Sequence, residues 1–405
     1  MTEYPSRRRL LAALGTAAGV GTAGCSTLVD YSPDPFDGSD DCPPYDPVET
    51  TTTTWPGTFG GPAGTATVAA EAVPDGDLTF DWSVPIETFM GYHVPIVDGD
   101  AVYVHDLDAS LFSVAADSGE ERWRLEMEGP GPAPAVGDGR LVVATETGIE
   151  AVDAATGARE WTAAEPAAGI FDAPPVIANG TVYVAGGVGV RAFDLADGKL
   201  RWHVPTGLRM TSPPAVVDGT LYVAGDDTYV RTLATDDGSE RWRHKTTARI
   251  ECNVAVAAGT VYTGTEAGAV IALDAASGAE RWRFQLPVGE TERQQRPRTV
   301  ATDGSRTYVT TDTTLYVLGA ATGEPCWRTR SYSGSYASGI AIGDGKVYVP
   351  VDSDVREGWG AVFDAATGER GQAFASGRDR SFEMGPSLAE GAIYGTGNGG
   401  LRKFS

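Results

Sequence analysis

The chain has 405 residues, 41% of them hydrophobic, so it can bury a substantial core. Its formal net charge of −24 disfavours binding to nucleic acid or to anionic lipid headgroups. Lysine is almost absent, and this shortage together with the acidity favours adaptation to high salt, where screening weakens repulsion between carboxylates. An ordinary acidic exported protein is the alternative.

The first 24 residues are predicted to be an export signal rather than part of the fold. Arg7 and Arg8 precede a mildly apolar run, 10–20, that is too short and too rich in Gly and Ala to span a membrane. Paired arginines are typical of twin-arginine signals, and "TAGC" resembles a lipobox that would place a lipid on Cys25. We therefore expect a protein held at the outer face of the cell membrane by Cys25. Simple cleavage and release is the alternative.

Residues 25–54 are rich in Pro, Asp and Thr and predict a disordered tether, with the ordered domain starting at Trp55. Besides Cys25 the chain has three cysteines at irregular spacing, Cys42, Cys252 and Cys326. An odd number without a C-x-x-C pair supports neither a disulfide framework nor a metal site.

From about residue 80, a unit of roughly 40 residues repeats to the end of the chain. Each unit has a short apolar strand, a tight turn, a second and a third strand, and a turn with Gly. Tight turns favouring positive φ are predicted at Asp98–Gly99, Asp138–Gly139, Asn179–Gly180, Asp218–Gly219, Ala258–Gly259, Asp303–Gly304, Asp344–Gly345 and Glu390–Gly391. Four such antiparallel strands make one blade of a β-propeller.

A tryptophan recurs four residues after the Gly of the later turn, and we interpret it as a packing anchor between blades. The set is Trp82, Trp123, Trp161, Trp202, Trp242, Trp282 and Trp327, and Gln372 stands at the last position. Trp82 has no blade of its own before it, and the chain ends after a third strand. The sequence therefore predicts an all-β, eight-bladed β-propeller over 55–405, closed by the N-terminal strand joining the last blade.

The repeat resembles the pyrroloquinoline-quinone (PQQ) repeat propellers, whose blades carry the motif A-x-D-x-x-T-G-x-x-x-W. The motif is matched over 151–161 and, with Ser for Thr, over 272–282. One branch of that family comprises quinoprotein dehydrogenases that hold PQQ with calcium, typically with adjacent cysteines and long loops, both absent here. The other branch comprises the non-catalytic, BamB-like lipoproteins, which match this chain in length, export signal and blade number.

The resemblance and the signal together predict an exported, membrane-anchored scaffold that is not an enzyme and needs no cofactor. It would bind a surface or secreted protein, through an acidic segment, or an anionic ligand, and is expected to be a monomer. The alternatives are a PQQ-dependent dehydrogenase and a polysaccharide-binding module. Neither a Ser/His/Asp set nor a metal-ligand spacing is found among the four histidines.

The segment before the first strand of each blade reaches the rim of the central channel, where propellers usually bind ligands. The candidate rim residues are Tyr92, His93, Asp172, Arg209, Arg249, Glu251, Arg296, Arg298, Tyr336 and Glu383. Their four arginines fall on three consecutive blades and suit carboxylate or phosphate recognition. The alternative is internal pairing with Asp172, Glu251 and Glu383.

Overall fold

The computed structural model describes residues 42–405 except 56, 87–93, 107–108, 130, 146–147, 165–172, 289–293, 331–338, 351–359, 375–381 and 398–399. The described chain is all-β, apart from a 3₁₀ turn at Ala70–Ala72. It forms eight four-stranded antiparallel sheets, the predicted eight-bladed propeller.

The first strand, β1 (Phe80–Val84), precedes the first complete blade. The strands of the eight blades, from the channel outward, are as follows: blade 1, β2 (Ile96–Asp98), β3 (Ala101–His105), β4 (Ser110–Ala115) and β5 (Glu121–Glu126); blade 2, β6 (Ala135–Gly137), β7 (Arg140–Ala144), β8 (Gly148–Asp153) and β9 (Arg159–Ala164); blade 3, β10 (Val176–Ala178), β11 (Thr181–Gly186), β12 (Gly189–Asp194) and β13 (Leu200–Pro205); blade 4, β14 (Ala215–Val217), β15 (Thr220–Ala224), β16 (Tyr229–Ala234) and β17 (Glu240–Lys245); blade 5, β18 (Ala255–Ala257), β19 (Thr260–Gly264), β20 (Ala269–Asp274) and β21 (Glu280–Gln285); blade 6, β22 (Thr299–Thr302), β23 (Arg306–Thr310), β24 (Thr314–Gly319) and β25 (Pro325–Arg330); blade 7, β26 (Ala341–Gly343), β27 (Lys346–Pro350), β28 (Gly360–Asp364) and β29 (Arg370–Phe374); blade 8, β30 (Phe382–Ala389), β31 (Ala392–Gly397), β32 (Gly400–Phe404) and β1.

The ring closes as predicted, because β1 pairs with β32 and supplies the outermost strand of blade 8. Trp82 lies opposite Lys403, and Val84 lies opposite Leu401. The Thr79 amide also donates to the Ser405 carbonyl at 2.9 Å. Joining the two ends of the chain in one sheet leaves no open sheet edge at the seam.

The repeated tryptophans join neighbouring blades through one recurring contact. Trp282 Nε1 donates to the Ala320 carbonyl of the next blade at 2.8 Å, and a Cβ placed on Gly323 would lie 2.7 Å from its ring. The other six tryptophans make the same pair of contacts, with N–H to carbonyl distances of 2.9 to 3.3 Å. The glycine therefore leaves room for an indole that is both packed and hydrogen-bonded.

Gln372 replaces the tryptophan where blade 7 meets the seam of blade 8. The third and fourth strands of blade 8 come from opposite ends of the chain, so no turn with Gly joins them. Gln372 instead accepts a hydrogen bond from the Leu78 amide at 2.8 Å and donates to the Leu78 carbonyl at 3.2 Å. The substitution marks the closure of the ring.

The tight turns are confirmed in six blades and differ in two. In the six, both turn residues have positive φ, as at Asp138 (48°) and Gly139 (73°). In blade 1 the strands pair at Asp98 and Ala101, so the turn is Gly99–Asp100 instead of the predicted Asp98–Gly99. In blade 6 the Asp303 carboxylate accepts hydrogen bonds from the amides that follow it, which forms a longer loop.

The prediction that the cysteines form no disulfide is wrong, because Cys42 is bonded to Cys326 in β25. The two are 284 residues apart, so spacing along the chain could not reveal the pair. The bond is part of a strap, residues 42–48, that packs on blade 6: Tyr45 Oη donates to Asp303 at 3.0 Å, and Arg306 donates to the Pro43 carbonyl at 2.6 Å. The predicted disorder of 25–54 therefore does not hold for the strap.

The next segment enters the central channel, and we call residues 55–72 the plug. It lies against the innermost strand of one blade after another. The Val97 amide of blade 1 donates to the Trp55 carbonyl, and the amides of Val216, Val256, Thr302 and Ile342, in blades 4 to 7, donate to the carbonyls of Pro62, Ala63, Thr65 and Ala66. These bonds are 2.7 to 3.2 Å long. The plug satisfies channel-facing amides that would otherwise need water or a ligand.

Candidate functional site

The structure describes only part of the predicted rim. Tyr92, His93, Asp172 and Tyr336 lie outside the described residues, as does the side chain of Glu383. Arg7, Arg8 and Cys25 of the export signal and anchor also lie outside them. Arg209, Arg249, Glu251, Arg296 and Arg298 are described, and they follow the outermost strands of blades 3, 4 and 5.

Two rim arginines meet on one carboxylate. Arg249 Nε donates to Glu266 Oε2, and Arg296 Nη1 donates to Glu266 Oε1, both at 2.9 Å. The Glu266 side chain is only 15% exposed, whereas those of Arg249 and Arg296 are 51% and 54% exposed. The carboxylate thus lies beneath two guanidinium groups and fixes their positions at the surface.

A third arginine pairs separately. Arg298 Nε donates to Asp312 Oδ1 at 2.7 Å, and both side chains are about half exposed or more. Arg209 lies one blade away, where its carbonyl accepts a hydrogen bond from the Asp226 amide at 3.0 Å. The site that the geometry supports is therefore the group Arg249, Arg296, Arg298 and Glu266, which we call the arginine cluster.

Glu251 is exposed at the surface and is hydrogen-bonded to Glu266 of the arginine cluster. Burial, followed by its hydrogen bond and proximity to Glu266, raises the pKa of Glu251, while the pKa of Glu266 is lowered. The burial of Glu266 opposes this lowering, and the hydrogen bonds from Glu251 and Arg249 outweigh it. Of these two neighbouring carboxyl groups, Glu266 therefore loses its proton more readily, because the guanidinium groups of Arg249 and Arg296 favour its charged form.

Internal pairing was one of the two sequence interpretations, with Asp172, Glu251 and Glu383 as the expected partners. Arg249 and Arg296 pair with a different carboxylate, Glu266, whereas Asp172 and the Glu383 side chain lie outside the described part of the chain. Glu266 and Asp312 occupy the loops between the second and third strands of blades 5 and 6. Those loops lie on the same face of a propeller as the segments before the first strands, because each antiparallel strand reverses the direction of the chain. This topology was the signal that could have identified both residues.

The described residues do not provide a donor set for a PQQ–calcium site. Among them, no group of three or more His, Cys, Asp or Glu lies close enough together to hold a metal ion. The charged groups at the described rim are arginines paired with carboxylates, and Cys252 is buried as a free thiol. Nor does any helix in this part of the chain have the length and hydrophobicity to cross a membrane.

Comparison with solved structures shows the same fold in a BamB protein and in dehydrogenases. BamB from Moraxella catarrhalis is 16% identical with a TM-score of 0.64, over 81% of this chain and 99% of that one. Quinohemoprotein alcohol dehydrogenase from Comamonas testosteroni is 15% identical with a TM-score of 0.71, over 88% and 81%. A europium-containing methanol dehydrogenase is 14% identical with a TM-score of 0.65, over 87% and 91%. These identities establish a shared fold and nothing about activity.

Sequence comparison assigns the family. No curated protein matches the chain. A family model described as outer membrane protein assembly factor BamB matches residues 65–224, 146–295 and 290–371, which together span 65–371. The PQQ-type repeat, the eight blades and this match over most of the sequence lead to one conclusion: the chain belongs to the BamB-like family of PQQ-repeat propellers.

Proposed function

We propose that this protein is an exported, membrane-anchored and non-catalytic scaffold that binds an anionic partner at the arginine cluster. The partner is an acidic segment of a surface or secreted protein. The description of the matching family, an assembly factor, supports a role in binding proteins rather than in catalysis. Lipidation at Cys25 and export through Arg7 and Arg8 are part of this proposal.

The observation that carries the proposal is the exposure of guanidinium groups held in place from below. A guanidinium has five N–H donors, and one nitrogen of Arg249 and one of Arg296 bind Glu266. The remaining donors are directed by a fixed geometry and can bind a carboxylate of a partner. On a protein with a net charge of −24, such a cluster gives an acidic segment a specific place to dock.

Calorimetry with an acetylated, amidated hexaglutamate peptide tests the proposal. The double variant Arg249→Ala/Arg296→Ala is expected to weaken binding at least tenfold, since two charge-assisted hydrogen bonds are lost. Arg283→Ala is the matched control, because Arg283 is also partly exposed and paired with a glutamate, Glu280, but lies on the outermost strand of blade 5. Equal binding by wild type, double variant and control would refute docking at the arginine cluster.

A thermal shift assay distinguishes the scaffold from the dehydrogenase. A protein that binds PQQ with calcium is stabilised by an amount that increases with the ratio of the ligand concentration to its Kd. We expect the unfolding temperature to stay unchanged when PQQ and calcium are added, and no dye to be reduced. A ligand-dependent increase, or dye reduction, would favour the enzyme.

A further inference from the structure

The plug bonds to the innermost strands of blades 1, 4, 5, 6 and 7 and to the Gly391 turn of blade 8 through the Ala72 carbonyl, but such a bond is not found at blades 2 and 3 among the described residues. It bonds to blade 1 through Trp55 and reaches blade 4 at Pro62, and residues 62–66 then bond to blades 4, 5, 6 and 7 in turn. The equivalent positions in β6 and β10 are Val136 and Ile177. Among the described residues, no part of the plug hydrogen-bonds to either of them.

A cavity occupies the space that the plug leaves at these two blades. Its volume is about 450 Å³, counting the part that is open to solvent. Val136 and Ile177 of the channel wall line one side of the cavity, and the glycine-rich turn 57–61 of the plug lines another. The prolines that precede β10 and β14 complete the lining. No charged side chain lines the cavity.

One side chain at the cavity has an unmet hydrogen bond. The Thr58 hydroxyl oxygen is buried and has no hydrogen-bond partner within the described part of the chain. A buried hydroxyl without a partner is costly, and so is a channel-facing amide. The cavity therefore combines an apolar lining with main-chain and hydroxyl groups that can bind a polar, uncharged ligand.

We propose that this cavity binds a short, uncharged, extended peptide segment of another protein. The plug itself shows which groups can bind the channel wall. Its carbonyls accept hydrogen bonds from the equivalent amides of blades 1, 4, 5, 6 and 7. Residues 62–66 make four hydrogen bonds to four blades, which is about one residue per blade. The two blades without such a bond therefore accommodate about two or three residues of an added peptide, which would bind through its main chain as an added strand does.

The occupant must have small side chains. A Cβ on Gly64 of the plug would lie 2.5 Å from the Val254 carbonyl oxygen, which shows how closely the bound backbone approaches the wall. A charged residue would lose its hydration without gaining a countercharge in this cavity. Gly, Ala and Pro, the residue types of the plug over 60–64, therefore fit best.

The probe is the peptide acetyl-Pro-Ala-Gly-amide, which has the sequence of residues 62–64, titrated against the full chain by calorimetry. We expect saturable binding, at least tenfold weaker for acetyl-Pro-Asp-Gly-amide. Ile177→Pro removes one channel-facing N–H without removing a hydrogen bond to β11, because that N–H points away from the sheet. It should weaken binding about fivefold, the effect of one neutral hydrogen bond.

Thr58→Val provides a second variant that keeps the shape of the side chain and is expected to fold. It should also weaken binding of the neutral peptide, because the hydroxyl no longer offers a partner. Arg249→Ala is the control, since it removes part of the arginine cluster and should leave this affinity unchanged. The proposal is overturned if the neutral peptide does not bind at millimolar concentration, if neither folded variant changes the affinity, or if Arg249→Ala weakens binding as much as they do.

Discussion

At the scale of single residues, the fold depends on pairs that lie in different blades. Each indole needs a glycine in the next blade, and that glycine has positive φ, as Gly323 does at 73°. The sequence shows both members of each pair at fixed spacing. It does not show that they touch across blades, because the contact joins a Trp to the Gly of the following repeat rather than to its own.

Gly323→Ala tests the indole contact. Its Cβ would meet the Trp282 ring at 2.7 Å, so we expect a loss of about 2–4 kcal/mol in the free energy of unfolding, from overpacking and from backbone strain. Gly345→Ala is the matched control: its φ is 66°, but a Cβ there meets nothing within 4 Å, and about 1 kcal/mol is expected. Denaturant titrations measure both, and equal losses would show that the indole contact is unimportant.

His105 predicts a dependence of stability on pH. The side chain is buried, and burial lowers its pKa below the usual 6.5 despite a hydrogen bond with the Pro132 carbonyl. The unfolded chain takes up a proton as the pH falls below 6.5, whereas the folded chain stays neutral until lower pH, so stability is lost in that interval. His105→Gln should remove up to about 1.4 kcal/mol per pH unit of this slope.

Thermal melts between pH 7.5 and 5 measure the His105 effect. If His105→Gln and wild type lose stability in parallel, the buried imidazole does not contribute.

At the scale of elements, the strap and the plug were the unexpected parts of the structure. Their composition, rich in Thr, Pro, Gly and Ala, gives no strand periodicity. The plug binds the blades largely through main-chain hydrogen bonds, although Trp55 and Val68 are also buried in the core. A sequence pattern cannot show such bonds, since every residue has the same main chain. The blades, in contrast, were predictable because alternating apolar strands and tight turns recur in each one.

The disulfide holds the strap on blade 6, and its removal should be measurable. The double variant Cys42→Ser/Cys326→Ser is expected to lose about 2–5 kcal/mol and to become sensitive to protease between residues 42 and 54. Reductant should lower the unfolding temperature of the wild type and not that of the double variant. Cys252→Ala, which removes the buried free thiol, should keep the response to reductant. A wild type that ignores reductant would contradict this role.

At the scale of the whole molecule, closure of the ring determines the fold, whereas the net charge affects its stability. Closure comes from the pairing of β1 with β32, which needs no charge. The net charge of −24 opposes compactness through repulsion between carboxylates. The proposed adaptation to high salt therefore concerns stability and not the choice of fold.

Melting in increasing KCl tests that adaptation. The screening length falls from about 10 Å at 0.1 M to about 3 Å at 1 M, so we expect the unfolding temperature to rise over this range. Sucrose at matched osmolality is the control for general exclusion from the surface, and it should give a smaller rise. A temperature that stays constant or falls in KCl would argue for an ordinary acidic protein.

The sequence by itself determined the eight blades, their order and the seam, because a repeated period and an unmatched Trp82 are local features of the chain. Only the tertiary structure decided where the strap and the plug lie, that Cys42 reaches Cys326, and that Glu266 joins Arg249 and Arg296. These contacts connect residues from separate repeats or from outside the repeat. The positions of the strap, the plug and the disulfide are set by the curvature of the closed ring, which no spacing along the chain encodes. The loop that holds Glu266, in contrast, could be placed once the topology of a blade was known.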